Sequence, residues 1–407
     1  DPTPLSNPLQ DNKYNNVTDL KNNLFGSFSA TLKPFKWLSF SSTNTLTLTN
    51  VNTNDYLDSR TYSGNHSRNE MSNGVLKVDD ERSWTFLTSN ILRLQHSFGE
   101  HNLSGLVGQE WYERHTRSSH IEMYDQMIAG ERNVGGFSKQ GDKTNPAVIP
   151  TGAERESGSF SVFSEVNYNY AGKYMASASF RTDGSTNFGK DNRYGTFYSF
   201  SGSWLVSREA FMARQDVVSN LKLRMSYGTS GKEAGMDYLN YTLYSTSNTT
   251  FDYYRDHPVY QSAYGATINQ LGNDQLSWET AYNLNIGVDV ALLDNRISLS
   301  ADWYKRRNSD LIMSTTLPAA NGVGRQYQNV GEMENRGVEL VLNTHTVKGE
   351  DFNWFTTLTF SYNNNELTKL DQEKLTRSGY KTFYEGDNID ELKKVKVMGV
   401  DPETGFA

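Results

Sequence analysis

The run Asn329–Thr344, NVGEMENRGVELVLNT, decides how the rest of the chain reads. A polar turn bearing Asn and Gly leads straight into a segment of period two. Val338, Leu340 and Leu342 share one side of it, while Glu339 and Asn343 share the other. Successive side chains of an extended chain point to opposite faces, so this is a strand with one apolar and one wet surface.

The same period recurs along the sequence. Tyr282, Leu284, Ile286, Val288 and Val290 alternate with Asn283, Asn285, Gly287 and Asp289. Leu221, Leu223, Met225 and Tyr227 alternate with Lys222, Arg224 and Ser226. Tyr174, Ala176, Ala178 and Phe180 oppose Ser177, Ser179 and Arg181; Ile297, Leu299, Ala301 and Trp303 oppose Ser298, Ser300 and Asp302. Phe160, Val162, Val166 and Tyr168 oppose Glu165, Asn167 and Asn169. Charges obey this parity: Arg93, Arg181, Lys222, Arg224, Asp289 and Asp302 all fall on polar faces. A Lys or Arg facing lipid at mid-bilayer costs about 2–4 kcal/mol, and one facing a watery lumen costs little. A soluble antiparallel sandwich also alternates apolar-in and polar-out, so parity alone leaves both architectures open.

Connection lengths separate them. Short turns are expected at Lys33–Lys36, Gly99–Asn102, Ala171–Lys173, Leu293–Asn295 and Lys348–Asp351. Between them lie long polar connections at Asn50–Arg82, Arg114–Ser157, Asp183–Asn192, Thr229–Ser277 and Met313–Asn335. Arg208–Asn220 interrupts the order and reads as one helical turn. Short turns on one side and long loops on the other mark an up-and-down transmembrane β-barrel. The reading gives about twelve strands joined as six hairpins. Phe35, Trp37, Trp84, Phe98, Trp111, Tyr170, Tyr174, Trp204, Trp278 and Trp354 fall near strand ends, where interfacial aromatic girdles are expected.

Composition agrees with an all-β chain. Only 36% of the 407 residues are hydrophobic, yet 24 are Tyr and 32 are Gly, a balance that favours strands and turns over helices. The longest apolar runs, such as Val290–Leu293, are far short of the roughly 20 residues a membrane helix needs. There is no Cys, which excludes disulfides, Cys-ligated zinc and Cys nucleophiles. A net charge of -8 speaks against nucleic-acid binding.

Several stretches, in order, resemble the SusC/RagA-type TonB-dependent outer-membrane transporters. They are FGEHNLSGLVGQE (98–110), GKYMASASFRTDGSTNFG (172–189) with its Arg181, Asp183, Gly184 and Ser185, and YGTFYSFSGSWLVSREAFM (194–212). LKLRMSYGTSG (221–231), LSWETAYNLNIGVDVALLDNRISLSADWYKRRNSDLI (276–312), the opening signature and GVDPETG (399–405) complete the series. The resemblance implies part of a barrel that has 22 strands when whole. An N-terminal plug, a TonB-engaging motif and final strands, which the family carries, are not found in these 407 residues. It further implies an outer-membrane location, import of oligosaccharides or peptides energised through TonB, and a SusD-type lipoprotein lid. The family often assembles as two barrels with two lids. A passive porin and an extracellular carbohydrate-binding β-protein are the alternatives.

Catalytic signatures such as G-x-x-x-x-G-K-[ST], H-E-x-x-H and G-x-S-x-G are absent. His115, His120 and Glu122 form the closest metal-like set, and Asp289 with Asp302 could pass for an acid/base pair; a solvated loop and a lumen wall explain them more simply. No cofactor, metal or catalytic residue is therefore assigned. The loop Thr250–Gln270 carries Tyr253, Tyr254, Arg255, Tyr260 and Tyr264, flat amphipathic groups suited to contact with a lid protein or ligand. Arg181, Lys222, Arg224, Asp289 and Asp302 are expected to face the lumen.

Overall fold

The computed structural model describes residues 7–66, 73–140, 151–246, 266–318, 320, 322–370, 375–377 and 381–389. After a short helix α1 (Pro8–Tyr14), capped by the Asn7 side chain, the chain is almost entirely extended. The first strands are β1 (Asn16–Phe35), β2 (Leu38–Leu57), β3 (Val75–Phe98), β4 (His101–Gln126) and β5 (Phe137–Gln140). Then come β6 (Thr151–Tyr170), β7 (Tyr174–Ser185), β8 (Tyr194–Leu205), β9 (Val218–Lys232), β10 (Leu243–Thr246) and β11 (Ala266–Gln270). They are followed by β12 (Glu279–Leu292), β13 (Ile297–Ser309), β14 (Ile312–Thr316) and β15 (Arg325–Asn329). The last are β16 (Glu332–Lys348), β17 (Asn353–Lys369), β18 (Leu375–Arg377) and β19 (Lys381–Phe383).

Twelve of these strands make one antiparallel wall in the order β1-β2-β3-β4-β6-β7-β8-β9-β12-β13-β16-β17, with β5 added to the top of β4. Wall neighbours therefore follow chain order, as the up-and-down reading requires. The remaining short strands pair locally, β10-β11 and β14-β15 in long connections and β18-β19 after the last wall strand. No helix among the described residues is long and apolar enough to cross a membrane, which says nothing against crossing by strands.

Cross-strand register carries each strand's parity into its neighbour. Leu223, Val288 and Ala301 are opposite one another, as are Met225, Ile286, Trp303 and Val338. Lys222 faces Asp289, and Arg224 faces Gly287 and then Asp302. One surface of the wall is thus apolar and the other polar. The apolar side chains are bare: Leu24 is 65% exposed, Phe28 69%, Met225 54% and Phe360 58%. Buried apolar clusters are small and lie at the long-loop end, around Tyr56, Leu76 and Phe137, around Phe188, Leu239 and Leu276, and around Leu367, Leu370 and Phe383. A water-soluble sandwich would bury the alternate apolar rows; this wall turns them outward, where lipid covers them.

The turns at the short end are tight. Gly99, with φ 58, closes the β3–β4 hairpin, and Ala171–Lys173 closes β6–β7. Rings line this end in sequence: His96 on Phe98, Phe98 on His101, His101 against Tyr170, Tyr170 on Tyr174, and Tyr174 on Trp204. Phe35 stacks on Trp37 at 5.3 Å. That continuous girdle places the short turns at a membrane–water interface.

Three expectations are corrected. The strands run further into the long connections than alternation suggested: β2 and β3 stay paired up to Leu57 and Val75, so the Asn50–Arg82 connection shrinks to residues 58–74. Above the bilayer both faces of a strand are wet, so the period-two signal fades although backbone pairing continues. In place of a single helical turn in Arg208–Asn220, two short 3-10 turns occur, Val206–Arg208 at its leading edge and Ala210–Met212 within it. Trp278 is no girdle residue, because its ring packs on Phe188 and Phe197 and its Nε1 donates to the Arg193 carbonyl.

Candidate functional site: the polar face of the wall

A polar hollow of about 540 Å³ lies against this wall. It is lined from seven consecutive wall strands, β3 to β12, including Ser97, Asn102, Asn167, Ser177, Ser203, Lys222, Arg224 and Asn285. In a membrane barrel the polar face is the one turned to the lumen, and here the floor of the hollow is paved with small hydroxyls and amides.

Arg224 dominates the inner face. Its Nε and Nη2 donate to Asp289 Oδ2 and Oδ1 at 2.8 and 3.0 Å. Nη1 and Nη2 reach Asp302 Oδ1 and Oδ2 at 3.1 and 3.0 Å, and Ser300 Oγ braces Asp289 Oδ1 at 2.7 Å. Only the planar five-donor fork of Arg can clamp two carboxylates in this way. The side chain of Arg224 has to cross β12 to reach Asp302 on β13. It passes over Gly287, where a Cβ would sit 2.5 Å from Asp302 Oδ1 and 2.8 Å from Arg224 Cζ. Glycine at 287 is what lets three strands share one ionic cluster.

Arg181 heads a second cluster. Its Nε donates to Asp183 Oδ1 at 2.5 Å, Nη2 donates to Ser161 Oγ at 2.9 Å, and Glu110 lies 3.7 Å away. Its guanidinium also lies over the Phe163 ring at 5.2 Å. Ser177 with Ser201 and Ser179 with Ser199 form hydroxyl pairs across β7 and β8, each at 2.6 Å.

Arg181, Lys222, Arg224, Asp289 and Asp302 thus share one face, and three of them form a single ion cluster. Asp289 and Asp302 are both held by Arg224. His115 stands on the outward face of β4, stacked on Trp84 and 2.9 Å from Glu154, while His120 and Glu122 are on the inward face. His120 Nδ1 meets Asp79 at 2.6 Å. The three residues do not converge, and among the described residues no His, Asp and Glu group could hold a metal. Tyr253, Tyr254, Arg255, Tyr260 and Tyr264 lie outside the described residues. Sequence reasoning missed Gly287 as the seat of the Arg224 clamp, because the contact joins residues 65 and 78 positions apart.

The TonB-dependent receptor-like β-barrel family matches residues 1–397. The chain belongs to that family. TonB-dependent receptor P26 of Formosa agariphila is 30% identical over 412 residues, covering 98% of this chain and 40% of the relative. TonB-dependent receptor SusC of Bacteroides thetaiotaomicron is 34% identical over 212 residues, covering 52% of this chain and 21% of SusC. Among solved structures, the RagAB peptide transporter superposes with a TM-score of 0.78 at 26% identity, over 92% of this chain and 40% of that one. The chain spans about two fifths or less of the length of these relatives. This is a SusC/RagA-type TonB-dependent transporter chain, located in the outer membrane, and its wall is part of a transmembrane antiparallel β-barrel.

Proposed function

We propose that this chain forms the wall and inner surface of an active importer that carries large polar nutrients, oligosaccharides or peptides, across the outer membrane. The observation that carries the reading is the continuous polar face of the wall. Much of its charge is internally paired, with Arg224 holding Asp289 and Asp302 and Arg181 holding Asp183, so the surface is wet while few of its charges are left to trap a passing solute. Such a surface suits passage better than tight binding. A structural neighbour, RagAB, is a peptide transporter, which supports the peptide class.

In this reading a SusD-type lipoprotein covers the long-loop end, and TonB acts through a plug that belongs to the longer protein. Tyr253, Tyr254, Arg255, Tyr260 and Tyr264 contact the lid or the solute in this reading. The assembly pairs two barrels with two lids, and the chain carries out no catalysis of its own.

The test is uptake by cells producing the full-length protein, with labelled oligosaccharides and peptides as solutes. Import that stops when the proton gradient is collapsed, or when the lid lipoprotein is deleted, supports the proposal. Uptake that continues under both treatments marks a passive porin and overturns it. Native mass spectrometry in mild detergent gives an independent check, with a barrel–lid complex as the expected species.

A further inference from the structure

The wall has a step in it. β4 and β6 run 26 and 20 residues, whereas β7 and β8 run only 12 each. The last register pair between β6 and β7 is Ser159 with Ser185, so the upper part of β6 stands clear of its neighbour. Its backbone is partly capped from the β9–β10 connection, where the Glu156 N–H donates to Tyr238 Oη at 2.6 Å. Between these pieces opens a notch of about 700 Å³, a volume typical of small-ligand sites.

The notch combines flat rings with a few polar groups. Trp111 and Tyr194 line it from the outward-facing rows of β4 and β8, and Tyr241 lines it from the β9–β10 connection. Tyr194 is 64% exposed, yet its ring has a fixed seat over Gly184, where any Cβ would collide with it. Gly184 belongs to the Arg-x-Asp-Gly-Ser segment, and this seat gives that glycine a role the lumen does not. Glu113, Glu156 and Arg193, with Ser157, Thr186 and Asn187, supply polar lining.

We infer that this notch is a binding subsite for neutral sugar units. The C–H face of a pyranose is slightly positive and is attracted to the negative face of an aromatic ring. Sugar hydroxyls both donate and accept, so they can donate to Glu113 and Glu156 and exchange hydrogen bonds with the hydroxyl and amide lining. A purely apolar ligand would strip water from those charges without replacing it. An anionic sugar or phosphate would meet two carboxylates against one guanidinium. The glycan can be a free oligosaccharide or the sugar portion of an outer-leaflet glycolipid, since the aromatic lining lies on the outward face. The site lies outside the lumen, so it stands or falls separately from the import proposal.

The experiment uses the full-length protein purified in detergent. Isothermal titration with maltohexaose, mannohexaose and xylohexaose is compared with titration of the anionic tetragalacturonate. Binding of at least one neutral probe is expected, with little binding of the anion. Tyr194→Ala and Trp111→Ala should each weaken the neutral probe by tenfold or more, while Tyr194→Phe retains it. Gly184→Val should mimic Tyr194→Ala by displacing the ring. Heat-modifiable gel mobility shows that each variant is folded. In parallel, native mass spectrometry of protein extracted from its own membrane scores glycolipid adducts. An adduct lost in Tyr194→Ala assigns the membrane source, and free-probe binding without an adduct assigns the soluble one. Absence of both, equal binding of the anionic probe, or neutral binding untouched by Tyr194→Ala overturns the inference.

Discussion

At position 287 a hydrogen atom does what no side chain could. The Arg224 guanidinium lies across that Cα to bridge Asp289 and Asp302. Gly287→Val should displace the guanidinium and cost about 1–3 kcal/mol, as overpacking usually does. The expected outcome is a lower melting temperature and loss of heat-modifiable mobility at a milder temperature; an unchanged melt would show that the clamp contributes nothing. Asp58, just above β2, is a second decisive residue. It is 1% exposed, accepts from Arg60 Nε and Nη2 at 2.8 Å each, from Arg60 N at 2.9 Å, and from Tyr56 Oη at 2.7 Å. Hydrogen bonds from Arg60 chiefly lower its pKa to about 2 against the opposing effect of burial. A depressed carboxylate stabilises the fold above its unfolded pKa of about 3.9 and loses that contribution as pH falls through its folded value. The loop 58–66 should therefore loosen between about pH 4 and pH 2. Asp58→Asn should produce faster hydrogen exchange there already at pH 7, by about 2 kcal/mol of local opening energy. Exchange rates equal to the parent at pH 7 would refute this.

Single elements were legible in proportion to how strictly physics constrained them. Inside the bilayer each residue must choose lipid or lumen, so β12 could be read from Tyr282 to Val290 residue by residue, and register places those side chains as parity demanded. Where both faces are wet, as along β2 beyond Asn50, nothing in the sequence forces alternation, and the strand's extension to Leu57 was invisible. Trp278 was misplaced for a related reason. An aromatic beside a strand end looks the same whether it meets headgroups or packs on Phe188 and Phe197. The short-turn end offers its own test. Glu209 accepts from Tyr174 Oη at 2.6 Å, Trp204 Nε1 at 3.0 Å and Lys173 Nζ at 3.2 Å, tying the 3-10 segment to the girdle. The Tyr174 hydroxyl, then Trp204 and Lys173, hold its carboxyl below the ordinary carboxylate range. Glu209→Ala should free this segment and speed tryptic cleavage after Arg208 and Arg214 in the purified protein. Cleavage at the parental rate would mean the tether is idle.

At the scale of the whole molecule, both ends of the wall demand company. β1 and β17 each pair on one side only among the described residues. Lipid supplies no hydrogen bonds to a bare strand edge, so such edges are closed by further strands. The 407 residues produced alone should fail to give a heat-modifiable membrane barrel, and the full-length protein should succeed. A stable barrel from this piece alone would require β1 and β17 to meet, which its register does not show. The candidate site was readable only in outline. Parity alone put Arg181, Lys222, Arg224, Asp289 and Asp302 on one face, but which of them touch depends on register, and Lys222 stays outside the Arg224 cluster. The wall step that creates the outer notch follows from relative strand heights, which no local pattern encodes.

The central claim is that one side of this wall meets water and the other meets lipid. The chain has no Cys, so single-cysteine labelling starts from a clean background in these residues. Asn285→Cys and Ile286→Cys, introduced into the full-length protein in membranes, probe adjacent positions on β12. Asn285→Cys, in the polar hollow, should react with a membrane-impermeant maleimide; Ile286→Cys should not, and a fluorophore there should be quenched by lipid-borne nitroxides. Equal labelling at both positions, or the reverse pattern, would contradict the account.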